Sequence, residues 1–359
     1  MKVFQVIARV NQGGTARWLE VLVLELRKAG HEVSLFAGDV EEDEVEDKCF
    51  QELTGIRISG LGRSVNLISD LKTIKVLRES IKNEKPDVIN THTAKAGAIG
   101  RIAAIGTGIK VVHTFHGHLL YGYFSPLKTK LIILIERILA LFTNHIIAVG
   151  FKVKNDLLAA KIGKDEQFVV ISPAIPVPTF LLKQDAQKAL EISSEAKVVG
   201  WLGRLTAIKR PDRVIELAKH FPSVTFIIGG AGDLHQKISS SLPNNVKIMG
   251  WVPPEIFWPS CDITLLTSDN EGLPTALIEA GLAGLPAIAE NVGSVSEIVR
   301  DGSTGILVKG EAERISALTK LLADEDLSSR MGISAQEYCE SHFGVASFIS
   351  AHLQVYNQK

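Results

Sequence analysis

Cysteine is scarce in this chain of 359 residues, and aromatic side chains make up only 6% of it. The three cysteines, Cys49, Cys261 and Cys339, are odd in number, far apart and without metal-ligand spacing. That pattern excludes a disulfide framework and a structural zinc site, and it fits a reducing cytoplasm. An excess of either charge sign is also missing: 39 Lys and Arg offset 40 Asp and Glu, for a net charge of -1. A general nucleic-acid binder needs a basic face to release phosphate counterions, so no nucleic-acid partner is expected and any basic patch is local. Long hydrophobic runs are absent too. The most apolar stretch, Leu131 to Phe142, is broken by Glu136 and Arg137 and falls far short of the roughly 20 apolar residues that cross a bilayer. The opening run Met1 to Arg9 is too short for a signal peptide and has no small-residue cleavage pattern behind it, so it reads as a first strand.

The composition that remains is that of a globular protein, 46% hydrophobic and 22% charged, with a mean hydropathy of +0.18 that leaves room for a membrane contact. The length suits about two domains of typical size, and two domains create a cleft. Short β-branched runs alternate with helical periodicity, which is the pattern of βα units feeding a parallel sheet covered by helices, so the fold class is α/β. Strand candidates in the first half are Val3 to Ala8, Glu32 to Ala37, Asp87 to Asn90, Lys110 to Phe115, His145 to Val149 and Phe168 to Ile171. The second half restarts with Val198 to Leu202, Val224 to Ile228, Val246 to Met249, Ile263 to Thr267 and Pro286 to Ala289. Between them, Ser172 to Val177 leads to Pro178, and prolines at 173, 176 and 178 suit a linker rather than a strand or helix interior. The chain turns helical after Val308, with a break near His342-Phe343-Gly344 before a last helix to about Tyr356. The acidic run from Glu41 to Asp47 reads as a solvated loop or helix face.

Ligands of doubly wound sheets sit beyond the carboxyl ends of the strands, and four segments there carry usable chemistry. Asn11-Gln12-Gly13-Gly14-Thr15 follows the first strand and opens a helix. Its glycines and free helical N–H groups form either a phosphate or sugar cradle or a simple tight turn. Gly203 to Pro211 places Arg204 and Lys209 between a strand end and a helix start, where they suit a diphosphate or are ordinary solvated cations. Asn270 to Ala280 sets Glu271 on a loop and Glu279 inside the helix that Pro274 begins. The pair suits vicinal hydroxyls of a sugar and a ribose, or is a cap and a surface residue. Val112 to His118 ends a strand with three histidines. Alternation sends His113 and His116 to opposite faces and spoils a shared metal site, leaving His116 as a polar contact or a satisfied buried ring.

Together these segments resemble the retaining glycosyltransferases of family 4, which have the GT-B fold, over nearly the whole chain. The most specific element is the E-x7-E pattern of Glu271 and Glu279, followed by Gly284-Leu285-Pro286 and Gly293-Ser294. Gly203-Arg204-Leu205 with Lys209, His116 after Thr114-Phe115, and the pair Gly13-Gly14 also match. The resemblance implies two Rossmann-like domains facing a central cleft, an acceptor domain over 1–172 rejoined by the helix 343–359, and a donor domain over 173–342. It implies that Arg204 and Lys209 hold the donor diphosphate and Glu279 the ribose. Glu271 with the backbone of Gly272, Leu273 and Pro274 would hold the donor sugar, and the backbone near Trp251 and Val252 would read the base. Gly13 and Gly14 would approach the diphosphate or acceptor, and His116 the sugar near its reacting face. The chain departs from the pattern at Pro173-Ala174 and at Gly229 to Asp233, which bears on hinge geometry and donor details.

The implied reaction moves a sugar, with retention, from a nucleotide sugar, UDP-linked by resemblance, to an acceptor hydroxyl. The nucleotide sugar is a co-substrate, and neither cofactor nor metal is implied. The lone D-x-D, Asp324-Glu325-Asp326, lies in a late helical connection and reads as surface. Leu119-Leu120-Tyr121-Gly122-Tyr123-Phe124, Lys128, Lys130 and the apolar run from Leu131 could rest on an anionic membrane, beside a lipid-linked acceptor of cell-surface polysaccharide assembly, or belong to the core. Two other readings stand beside this one: a nucleotide-sugar epimerase on the same plan, and a binding subunit without turnover.

Overall fold

The structure is a computed structural model, and it describes every residue except Asp43, Arg63, His118, Leu119, Tyr121, Gly122, Tyr123, Phe124, Ser241 and Lys359. The tyrosine-rich segment expected to meet a membrane, Leu120 apart, therefore lies outside the described residues, as does His118. The chain divides into two compact units, residues 1–174 with 345–359, and residues 175–344.

The valine- and isoleucine-rich runs form parallel strands, the central ones buried on both faces as helix-covered sheets require and the edge strands more exposed. In the first unit these are β1 (Lys2–Ile7), β2 (Glu32–Ala37), β3 (Ile56–Arg57), β4 (Val88–His92), β5 (Lys110–Phe115), β6 (His145–Ala148) and β7 (Phe168–Val170). Their spatial order is β3-β2-β1-β4-β5-β6-β7. The second unit holds β8 (Val198–Leu202), β9 (Thr225–Gly229), β10 (Val246–Gly250), β11 (Ile263–Leu266), β12 (Ala287–Glu290) and β13 (Gly305–Val308), in the order β10-β9-β8-β11-β12-β13. Chain direction of travel across the sheet reverses between β1 and β4 in one unit and between β8 and β11 in the other. Loops splay apart at such switch points and open a crevice at the strands' carboxyl ends.

Three details differ from the sequence reading. The edge strands β3 and β13 were not foreseen, because one has two residues and the other opens on a glycine, too little for a period-2 signal. β4 runs on to His92 rather than stopping at Asn90, so His92 joins the sheet. The acidic run is not wholly solvated: Glu44 is clamped by the Arg9 guanidinium and Glu46 pairs with Arg57 at 2.7 Å.

Alternation distributes the cores. In the second unit Val199, Phe226 and Ile228 pack with Trp201 and Val214 on one face, while Val198 and Ile227 meet Phe257 and Trp258 on the other. In the first unit Phe4, Val6 and Ile89 face an apolar layer with Leu77, Ile81 and Ile99. The opposite face is different in kind, for Gln5, Asn90, His92 and Thr114 lie buried there. It is covered by the helix Gly14–Lys28 and the last helix, Val345–Asn357, whose Phe348 meets Trp18 with ring centroids 4.8 Å apart. Lys110 Nζ donates to the Tyr356 carbonyl at 2.7 Å, satisfying an end carbonyl of that helix.

Burial keeps several histidines of this unit neutral. It holds His92 and His113 well below the usual range, and it pushes His116 down to about 3 and His352 to about 4. The unfolded chain takes up these protons near pH 6.5, whereas the folded chain does so only far lower, so the unfolded state binds more protons in between. Stability is therefore expected to be full above about pH 6.5 and to fall as pH drops towards 4, by up to about 1.4 kcal/mol per unit for each such histidine. Urea midpoints measured at about pH 7, 6 and 5 check this, and a flat series would contradict the burial of these rings as neutral groups.

Candidate functional site

In the second unit the loops after β8 and β11 leave adjacent strands at the switch point. Lys209 ends a short 3-10 turn on the first loop, and Glu271 stands on the second. They meet: Lys209 Nζ donates to both Glu271 carboxylate oxygens, at 2.6 and 2.7 Å. Ser268 Oγ donates to the same carboxylate at 2.6 Å. The Glu271 side chain is only 6% exposed and that of Lys209 23%, so a mostly buried anion is offset by a cation that still reaches solvent. An ammonium has three N–H donors, and two are spent on Glu271, which leaves one for an incoming oxygen. Arg204 lies exposed on the same loop.

The two loops are cross-braced. Thr267 Oγ1 donates towards the carbonyls of Lys209 (3.0 Å) and Arg210 (2.9 Å) and accepts from Trp201 Nε1 at 2.9 Å. The Asp269 amide donates to the Ile208 carbonyl at 2.8 Å, and Arg213 pairs with Asp269 at 2.6 Å. Thr267→Val keeps the shape but orphans the buried indole N–H and the two carbonyls, so a loss of about 1–3 kcal/mol is expected. A urea titration reads it, and an unchanged midpoint would show that the brace contributes nothing net.

Glu279 sits within the helix Thr275–Leu282 and is buried, which rules out a surface helix residue. Leu273 and Pro274 are buried ahead of it, Gly272 accepts from the Ser294 amide at 3.0 Å, and Gly293 packs directly on the Glu271 carbonyl. Trp251 is 59% exposed just beyond β10, and Val252 is buried. The glycine loop after β9 lies on the Gly203–Leu205 loop: the Leu205 amide donates to the Ala231 carbonyl at 2.8 Å, and a Cβ on Gly230 would stand 2.0 Å from the Gly203 oxygen. Asp324 of the D-x-D triplet caps the helix Glu325–His342 by accepting from the Leu327 amide at 2.8 Å.

In the first unit Gly13, at φ +144°, precedes the helix that Gly14 begins, and a Cβ there would meet open space. The requirement for glycine at 13 is thus conformational. The loop lies against the former acidic run, with the Gln12 amide donating to the Val45 carbonyl at 3.0 Å. His116, just beyond β5, is partly exposed and stands edge-on to Trp18. Its Nε2 lies 2.9 Å from His92 Nδ1. His113 is on the other face, where Nδ1 meets Thr91 Oγ1 at 2.8 Å. The structure thus separates these two rings, and it joins Lys209 with Glu271.

Ser268, Thr267 and His92 were not foreseen as site residues. For His92 a signal existed: continuing the period of two from Asn90 puts it on the same face. For Thr267 and Ser268 the signal was their place at the end of β11, ahead of Glu271.

Family models describe the same two regions. Residues 183–338 match glycosyl transferases group 1, and residues 12–177 match glycosyltransferase family 4. The chain is 30% identical over 272 residues to the Escherichia coli UDP-Gal:alpha-D-GlcNAc-diphosphoundecaprenol alpha-1,3-galactosyltransferase, covering 69% of each chain. It is 26% identical to the capsular polysaccharide biosynthesis glycosyltransferase CapM of Staphylococcus aureus, over 89% of this chain and 87% of that one. Among solved structures, Anabaena Alr3699/HepE in complex with UDP and glucose superposes with a TM-score of 0.85 at 20% identity, over 100% of both chains. The sucrose-phosphate synthase of Thermosynechococcus elongatus gives 0.83 at 19%, over 100% of this chain and 98% of that one. These likenesses show the GT-B fold.

Proposed function

We propose, from the premise that this chain belongs to glycosyltransferase family 4 and is a glycosyltransferase, that it transfers a sugar from a UDP-sugar to a lipid-linked sugar acceptor with retention of configuration. The observation that carries the donor assignment is the Lys209–Glu271 pair at the switch point of the second unit. Its remaining ammonium N–H, joined by Arg204, offsets charge growing on the departing diphosphate. Glu271 and the backbone of Gly272, Leu273 and Pro274 hold the donor sugar. Glu279 takes the ribose hydroxyls, and the backbone at Trp251 and Val252 takes the base. Within the first unit, Gly13 and Gly14 offer backbone to an anionic or acceptor group, and His116 offers a contact to a sugar.

A metal-independent reaction fits this set, because two cations serve the leaving group and Asp324 of the D-x-D triplet is occupied as a helix cap. UDP is supported by the complexes of HepE with UDP and with UDP-glucose, and the acceptor class by the GlcNAc-diphosphoundecaprenol substrate of the E. coli relative. Capsule, exopolysaccharide or lipopolysaccharide assembly is the corresponding role. The comparisons do not favour an epimerase or a binding subunit without turnover.

Membrane contact belongs to the same proposal. Among the described residues no helix is long and apolar enough to cross a membrane. The helix Pro126–Ala140 nevertheless exposes Leu127, Leu131, Leu134 and Ile138, with Leu141 just beyond and with Lys128 and Lys130 alongside. An apolar stripe flanked by lysines suits the surface of an anionic bilayer.

The test titrates the protein with a panel of nucleotide sugars, following thermal stabilisation and release of nucleoside diphosphate. A ligand that binds only the native state must raise apparent stability. A UDP-sugar that stabilises the protein and is slowly hydrolysed is the expected result. If other nucleotides do this and UDP-sugars do not, the donor assignment fails.

A further inference from the structure

The polar face of the first unit contains a continuous hydrogen-bonded chain that ends at His116. Asn90 and Gln5 are register partners on β4 and β1, and both reach the last helix: Asn90 Nδ2 donates to the Tyr356 hydroxyl at 2.9 Å and Gln5 Nε2 at 3.1 Å. Thr114 Oγ1 donates to Asn90 Oδ1 at 3.0 Å, with the NH2 of that carboxamide towards the phenol. Gln5 turns its other end to His92, whose Nε2 lies 2.8 Å from Gln5 Oε1. His92 Nδ1 in turn meets His116 Nε2.

We infer that His92, held by Gln5 and Tyr356, is a positioning residue that sets the tautomer of His116, so that Nδ1 of His116 is presented as a lone pair to accept from a sugar hydroxyl. The inference rests on the reading of His116 as a sugar contact. A carboxamide oxygen only accepts, so His92 Nε2 carries the hydrogen. A neutral imidazole has one N–H, so His92 Nδ1 accepts, and the shared bond must come from His116 Nε2. Nδ1 of His116 is then the acceptor nitrogen. Both rings are kept neutral by burial, which closes the escape through a doubly protonated ring. Trp18, edge-on to His116 with centroids 5.1 Å apart, and Phe348 behind it restrain the ring plane. The phenol at the far end stays protonated, because burial pushes Tyr356 up to about 12. The last helix thereby acquires a task besides packing, since its Tyr356 anchors the carboxamide that polarises the chain.

Long-range proton–nitrogen correlation spectra of the full-length, nitrogen-15-labelled protein read the tautomer directly, with His116→Gln identifying the signals. The expected wild-type spectrum has a protonated Nε2 and an unprotonated Nδ1 at His116. His92→Phe removes the acceptor and should give mixed tautomers and a turnover number lower by at least about tenfold, with donor KM changed less than about twofold. His92→Asn offers a carbonyl oxygen in place of Nδ1 and should restore both the tautomer and most of the turnover. A protonated Nδ1 at His116 in the wild type overturns the inference without recourse to any variant, and so does wild-type turnover with an unchanged spectrum in His92→Phe. If the wild type turns over no nucleotide sugar, the transferase assignment of the site fails, while the spectrum still decides the relay.

Discussion

Lys209→Ala is expected to lower kcat/KM for donor turnover by roughly 10²- to 10³-fold, the effect of losing one preorganised group that meets developing charge. The side chain does two things at once. In the free protein its ammonium neutralises Glu271, and in the proposed complex its remaining N–H reaches the leaving diphosphate. Its removal leaves the Glu271 carboxylate buried with the Ser268 hydroxyl and without its cation, so a loss of about 1–3 kcal/mol of stability accompanies the rate effect. The two consequences separate in the double variant Lys209→Ala with Glu271→Gln. Neutralising the carboxylate should recover the stability and leave turnover low. Initial rates of nucleoside diphosphate release and urea midpoints measure the two sides, and wild-type-like rates in Lys209→Ala would sink the diphosphate assignment.

Gly293→Ala should damage the same site without touching any charged group. Gly293 has φ +53°, and a Cβ there would lie 1.8 Å from the Glu271 carbonyl oxygen and 2.7 Å from its carbonyl carbon. Both are backbone atoms, and the Ser294 amide is bonded to the Gly272 carbonyl at 3.0 Å, so no side chain can swing aside. The Glu271 loop has to move by the order of an ångström, and a displacement of about 1 Å at a reacting geometry costs about 100-fold in rate. Gly302→Ala is the control. It too has positive φ, +75°, but a Cβ there meets nothing within 4 Å. That variant carries only the left-handed strain of about 1–2 kcal/mol, with turnover unchanged. Equal behaviour of the two variants, in melting and in rate, would show that the close approach at Glu271 does not hold the loop.

Much of the architecture was legible because it depends on local patterns. The run Val198 to Leu202 forms β8 with the bounds read from its β-branched sequence, and Glu32 to Ala37 and Lys110 to Phe115 do so as well. The break at Phe343 follows from Gly344 after the helix Glu325–His342. Pro274 stands immediately before the helix that carries Glu279, as its fixed φ and missing N–H dictate. Edge strands were not legible where two residues, Ile56 and Arg57, carry no period. Nor was the use of Glu44, since an acidic run looks solvated until a guanidinium such as that of Arg9 is seen against it.

Local sequence patterns set the kinds and order of elements, the glycines that turn the loops, and the family-4 pattern of Glu271 and Glu279. Tertiary structure alone decided which of these residues meet. Lys209 and Glu271 are 62 positions apart, and Gln5 and Tyr356 are 351 apart. They become neighbours only because β8 lies beside β11 and because the last helix returns to cover β1 and β4. Parallel strand order is settled by how each crossover helix packs on the sheet and by burial summed over a whole layer, and no single residue or short spacing encodes that sum.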